Sequence, residues 1–179
     1  MEKRVFENPI IKDRVNIIKS TKETSGEYLL LQIELAPGGG NGLHYHTSFN
    51  EEFTAISGNL SIEKKFGKIV LKPGETATAY INELHRFFNE SNETIVFQVR
   101  ISPGNEGFEN GLRIAYGLAS DGKTNRKGVP SKFDHLAIIL DLTDTRLTGW
   151  MSLIEPFILR KAKKARQKGV EDLLMRSYC

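Results

Sequence analysis

Apolar and polar positions alternate through most of the first hundred residues. Residues 27–35 divide by parity into Leu29, Leu31, Ile33 and Leu35 on one face and Tyr28, Leu30, Gln32 and Glu34 on the other. That is the pattern of a half-buried strand, and the first set is read as its core face. Upstream, Val15, Ile17 and Ile18 mark one or two short strands within residues 1–20. In residues 51–57 the alternation sends Glu51, Phe53, Ala55 and Ser57 one way and Glu52 the other. Residues 51–57 and 60–66 read as a hairpin around Gly58-Asn59. Further short strands follow at 69–71, 75–81 and 85–89, the last with His85, Phe87 and Asn89 on one parity. Residues 94–102 place Val96, Gln98 and Arg100 on one face and Ile95, Phe97, Val99 and Ile101 on the other. Periodicity alone leaves open which set lines an interior.

Pro103-Gly104 ends this regime. Beyond it Phe108, Leu112, Ala115, Tyr116 and Ala119 recur at helical spacing, interrupted by Gly107, Gly111 and Gly117, which implies a short helix. Residues 120–133 are a polar connection carrying Lys123, Arg126, Lys127 and Lys132. Leu147, Trp150, Met151, Ile154, Phe157 and Ile158 form an amphipathic helical stripe. Pro156 should kink it or split it at Glu155. A cationic run over 160–168 stops at Gly169, and a last helix occupies 170–178. The expected organisation is a mainly β unit over residues 1–103 and a mainly helical extension over 104–179, packed on that unit or on a partner subunit.

Composition changes this picture little. Hydrophobic content is 39%, mean hydropathy is −0.34 and net charge is +3. The charge bias is too weak to imply a nucleic-acid partner. The single cysteine, Cys179, excludes a disulfide framework within one chain. No apolar leader stands at the start and no run reaches the ~20 residues of a membrane span. A cytoplasmic soluble protein is expected.

The chemistry concentrates in residues 37–58, PGGGNGLHYHTSFNEEFTAISG. The glycines are not a phosphate-cradling loop, because no Gly-Lys-Ser/Thr follows and no helix opens there. If residues 43–46 are extended, His44 and His46 lie on one face, ~6.8 Å apart along the strand. Glu51 follows a turn-rich corner, and His85 arrives from a second apolar run. Imidazole is the commonest ligand of first-row divalent metals, and a carboxylate beside the imidazoles partly balances the charge. Three His and one Glu leave coordination positions free on a five- or six-coordinate ion. His135, with no partner at ligand spacing, reads as structural.

These residues resemble a known pattern. Gly38-x5-His44-x-His46-x4-Glu51-x6-Gly58 is similar to the first motif of the cupin superfamily at every position. Gly74-x5-Tyr80-x-Asn82-x2-His85-x3-Asn89 keeps the spacing of the second, with Tyr80 in place of the usual proline and Asn82 in place of a glycine. The resemblance covers roughly the first hundred residues. It implies a double-stranded β-helix, the RmlC-like jelly-roll barrel, with C-terminal α-helices added here. It also implies His44, His46, Glu51 and His85 as ligands of one divalent ion such as Fe, Mn, Ni or Zn. A metal-dependent enzyme of oxygenase or isomerase type, acting on a small molecule in the barrel, is the leading expectation. A non-catalytic ligand-binding or sensor barrel is the alternative. Phe53, Phe87, Gln98 and Arg100 are the candidate substrate contacts, Arg100 because a guanidinium matches a carboxylate in a fork. A homodimer is expected and a nucleic-acid partner is not. The basic helical run over 147–168 admits packing, an anionic membrane surface, or phosphates; packing ranks first, since charged helix faces are usually solvated.

Overall fold

A computed structural model describes residues 3–179. Met1 and Glu2, at the head of the segment read as lacking an apolar leader, lie outside the described residues. So do the side chains of Trp150 and Met151, two members of the helical stripe. Among the described residues nine strands come first: β1 Val5–Asn8, β2 Asp13–Lys19, β3 Leu29–Leu35, β4 Asn50–Ser57, β5 Leu60–Lys64, β6 Gly67–Leu71, β7 Thr76–Ala79, β8 His85–Phe88 and β9 Ile95–Ser102. They form a six-stranded sheet, β1-β2-β3-β9-β4-β7, and a three-stranded sheet, β6-β5-β8. The two sheets face each other in an antiparallel jelly-roll barrel of the cupin type. Helices α1 Glu106–Ser120, α2 Phe133–Leu142, α3 Glu155–Gln167 and α4 Val170–Tyr178 follow, with a 3-10 turn at Gly149–Ile154.

Parity decides what fills the barrel. Leu29, Leu31, Ile33 and Leu35 of β3 and Ile95, Phe97, Val99 and Ile101 of β9 are buried, and register aligns the two sets. Val15, Ile17, Phe53, Ala55, Leu60, Ile62 and Phe87 complete the core. Two strand expectations are corrected. Residues 51–57 and 60–66 are not a hairpin: β4 pairs with β7 and β9, whereas β5 pairs with β6 and β8. A bulge between Ala55 and Ser57 bends β4 where the chain leaves one sheet for the other, so the Gly58-Asn59 turn closes a barrel corner. Residues 43–46 are not a continuous strand either; they are held by isolated bridges, His44 to His85 and Tyr45 to Arg146.

The glycines of residues 107–117 do not interrupt a helix. Helix α1 runs unbroken for 15 residues, and Asn105 caps it by accepting from Phe108 N–H. The glycines are where other parts of the chain come close. A Cβ at Gly107 would sit 2.7 Å from the Leu142 carbonyl, one at Gly111 2.6 Å from Thr143, and one at Gly117 2.1 Å from the Tyr178 ring. Close packing thus offsets the roughly 1 kcal/mol that each glycine costs relative to alanine in a helix. Pro156 lies in the first turn of α3, where its missing N–H is harmless. The 3-10 turn ends at Ile154, so the split at Glu155 is found.

Helix α1 faces two cores. Tyr116 packs into the barrel against Phe6, while Ile114 and Leu118 join Ile138, Ile158, Ala162, Ala165 and Leu174 in a second apolar cluster among the helices. Part of the cationic run is paired: Lys161 with Asp134, and Arg166 with Asp141 and Glu171. No helix among the described residues is long and apolar enough to cross a membrane.

Candidate metal centre

Four side chains from three places in the chain meet inside the barrel. His44 and His46 come from the bridged segment before β4, Glu51 from the second position of β4, and His85 from the first position of β8. One ligand atom from each lies within 4.8 Å of all the others. His46, Glu51 and His85 are buried, and His44 is half-buried. The ring centroids of His44 and His85 are 4.6 Å apart, and those of His44 and His46 4.8 Å.

The hydrogen bonds fix the tautomers. His44 Nδ1 lies 2.8 Å from the Gly42 carbonyl and His85 Nδ1 2.8 Å from the Glu83 carbonyl. His46 Nδ1 lies 3.1 Å from the Thr143 carbonyl and 3.2 Å from that of Asp144. A carbonyl oxygen only accepts, so each Nδ1 carries a hydrogen, and in a neutral ring the inward Nε2 holds a lone pair. The Nε2 atoms of His44 and His46 then face each other at 3.1 Å. His85 Nε2 is 2.8 Å from Glu51 Oε2, and His46 Nε2 is 3.8 Å from Oε1. Converging lone pairs beside a carboxylate repel unless a cation lies among them. The donor set therefore fits a metal ion, and imidazoles fixed by outward hydrogen bonds are how proteins orient such ligands.

Without an ion the charges sort themselves by burial. Burial, then the neighbouring imidazoles of His85 and His46, hold His44 down at about 4. Burial also lowers His46. On His85, burial pulls the same way, but the hydrogen bond and charge of Glu51 outweigh it and raise the imidazole above its usual range. Burial pushes the Glu51 carboxyl up, yet the three imidazoles together hold it at about 2. A proton held between His85 and Glu51 is thereby favoured, and it competes with an ion for both groups. Metal binding must expel it. Affinity should be flat above the raised pKa of His85 and fall by roughly tenfold per pH unit below it, as one proton competes with the ion. Calorimetry of zinc binding in buffers of different ionisation enthalpy checks this. The expected result is about one proton released per ion on the acid side of that pKa and none well above it.

The wall around the ligands is aromatic. Phe49 stacks on His46 at 4.4 Å, Phe108 meets the same ring edge-on at 5.7 Å, and Phe53 lies 6.0 Å from His85. Of the four candidate substrate contacts, the structure brings Phe53 and Phe87 to this wall; their rings are 6.2 Å apart. It places Gln98 and Arg100 elsewhere, which corrects that expectation. They lie on the outer face of β9, because Val99 and Ile101 take the inward parity in register with β3 and β4. Arg100 stacks over Tyr28 at 4.0 Å and donates to Ser102 Oγ at 3.3 Å. His135 stands in the first turn of α2, outside the cluster. Two surface cavities, of about 590 Å³ beside Asp13 and about 460 Å³ beside Lys123 and His135, also lie away from it.

Sequence reasoning missed Phe49, Phe108, Thr143 and Asp144. Phe49 falls in the turn-rich corner, and the other three follow the strand region, so no local pattern ties them to the imidazoles.

Comparison with known proteins bears on the barrel. Residues 31–101 match the family model described as a cupin domain. A search of curated proteins found no match. Among solved structures, a predicted oxalate decarboxylase from Thermotoga maritima is similar at 21% identity, over 51% of this chain and 80% of that one, with a TM-score of 0.49. An RmlC-like cupin from Shewanella frigidimarina is similar at 14% identity, over 57% and 86%, also with a TM-score of 0.49. The polyketide cyclase RemF from Streptomyces resistomycificus is similar at 18% identity, over 56% and 68%, with a TM-score of 0.47.

Proposed function

We propose, from the premise that residues 31–101 are a cupin domain, that this chain is a metal-dependent enzyme acting on a small molecule at His44, His46, Glu51 and His85. One observation carries the reading. Three imidazoles have their outward nitrogens committed to carbonyls, so three inward nitrogens and one carboxylate converge on a largely buried space. A bound divalent ion would supply Lewis acidity there or, if redox-active, a place for dioxygen to be activated.

The chain's own residues set the rest. Glu51 and three neutral rings leave a divalent ion with one residual positive charge, which favours an anionic or carbonyl-bearing ligand. His44 is the half-buried member, so a ligand approaches past its edge. Phe49, Phe53, Phe87 and Phe108 keep water from the inner side and offer flat apolar surface. A second reading has its own support. The rings packed nearest the ligands are phenyl groups, which neither give nor take protons. A centre that captures a metabolite without turning it over would be built the same way.

The test is metal analysis of the purified chain, followed by loading with Fe(II), Mn(II), Ni(II) or Zn(II) and a screen of small carboxylates, ketones and sugars. The enzyme reading expects near-stoichiometric metal and turnover that depends on the ion. Saturable binding with no turnover under any ion would leave the capture reading in its place. No metal uptake at all would overturn both.

A further inference from the structure

The outward nitrogens of the three imidazoles are not held alike. His44 and His85 each use a carbonyl two residues back in their own loop. His46 uses the carbonyls of Thr143 and Asp144, 97 and 98 residues further along, where the chain leaves helix α2. That corner meets the ligand segment at two more levels. Its backbone bridges to the ligand-bearing segment, with Arg146 N–H donating to the Tyr45 carbonyl at 2.9 Å and Tyr45 N–H to the Arg146 carbonyl at 3.3 Å. The other edge of the segment is bonded to His85 through His44. Residues 44–46 are thus clamped between β8 and the helical extension.

The side chain of Asp144 closes the clamp. It accepts from Thr47 N–H at 2.7 Å, from Thr47 Oγ1 at 2.8 Å, from Ser48 Oγ at 2.7 Å and from Arg146 Nη2 at 2.8 Å. Thr47 and Ser48 lie in the turn that joins His46 to β4 and hence to Glu51. From behind, α1 supports the corner, because Gly107 and Gly111 let it approach Leu142 and Thr143.

We propose that residues 143–146 hold His46 in its metal-binding tautomer, with Asp144 as a positioning residue, so that ion uptake and docking of the helical extension are one linked equilibrium. The inference rests on the metal reading above. Linkage makes it reciprocal: by whatever factor a docked corner tightens ion binding, a bound ion tightens the docking. Partners that orient metal-bound histidines are typically worth 10- to 100-fold in affinity.

The experiment is a zinc competition titration against a chromophoric chelator, on the full chain and three variants. Asp144→Asn keeps the side chain's size and suits the left-handed backbone at this position, φ 48°, but loses the charge that the donors share. Thr47→Val removes one donor from the other side of the contact. Glu109→Gln weakens a buried pair with Arg113 and a bond from Thr21 N–H; it stands between Gly107 and Gly111 but, two positions from each, on the opposite side of α1 from the corner. The expected results are about 10- to 100-fold weaker zinc binding for Asp144→Asn, a smaller loss for Thr47→Val, and a change within about twofold for Glu109→Gln. Zinc should also slow amide exchange across residues 143–146 of the unaltered chain. Zinc affinity within about twofold of wild type in Asp144→Asn would overturn the proposal, as would an equal loss in Glu109→Gln, which would make the effect general destabilisation. If Asp144→Asn does not fold, an unchanged affinity in Thr47→Val overturns it instead. A wild-type chain that takes up no zinc refutes the metal reading itself; normal uptake with indifferent variants refutes only the coupling.

Discussion

A chain carrying both His44→Ala and His46→Ala is expected to lose its metal. Two of four ligands go, and they are the pair whose Nε2 atoms lie 3.1 Å apart, leaving Glu51 and His85 as a hydrogen-bonded pair with no preference for an ion over a proton. The loss should exceed the roughly 10- to 100-fold that removing an outer hydrogen-bonding partner costs, taking bound metal from near one per chain to background. Elemental analysis after dialysis reads this directly. The fold should survive, since the barrel core of Leu29, Leu31, Ile33, Phe97, Val99 and Ile101 does not depend on either ring. Full metal content in the double variant would put the ion at a different site.

Deleting residues 147–179 should cost more in stability than any single change in the barrel mouth. The deletion removes Ile158, Ala162, Ala165 and Leu174 and uncovers Ile114, Leu118, Ile138 and Ile139. Each fully buried aliphatic side chain is worth about 1.5–3 kcal/mol, so the total is on the order of the whole stability of a domain. The shortened chain is expected to aggregate or to change oligomeric state, visible by size-exclusion chromatography. A graded form of the same test compares two neighbours in α4. Leu174→Ala, at 3% exposure, should cost about 2–5 kcal/mol in urea unfolding. Leu173→Ala, at 63% exposure, should stay within about 0.5 kcal/mol of wild type. An unaltered oligomeric state and full stability after the deletion would show the helices to be an independent appendage.

Much of the candidate centre was legible before any coordinates. Side-chain alternation is a property of the extended backbone alone, so that Glu51, Phe53 and Ala55 share one face of their strand, and His85, Phe87 and Asn89 one face of theirs, followed from spacing. What failed was pairing. The two-residue Gly58-Asn59 link carries the same local signal whether its flanking strands pair or part into two sheets. The face of β9 was undecidable for the same reason, since alternation defines two faces without saying which is inside. Gln98 and Arg100 proved outward only once β3 and β4 stood on either side. The glycines of α1 misled because propensity counts their entropic cost but not the close approach of Leu142, Thr143 and Tyr178. Asn105, with Glu106 and Glu109 behind it, was a capping signal that could have placed the helix start.

The sequence by itself determined most of the strands and the alternation of their faces, because each depends on neighbours a few positions away, and the resemblance of its two motifs supplied the four residues that could share an ion. Only the tertiary structure decided that His46 takes its orientation from Thr143 and Asp144. A hydrogen bond spanning nearly a hundred residues leaves no periodic trace; it exists only when α2 ends beside the barrel mouth, and packing of the helices against one another and against β1 puts it there.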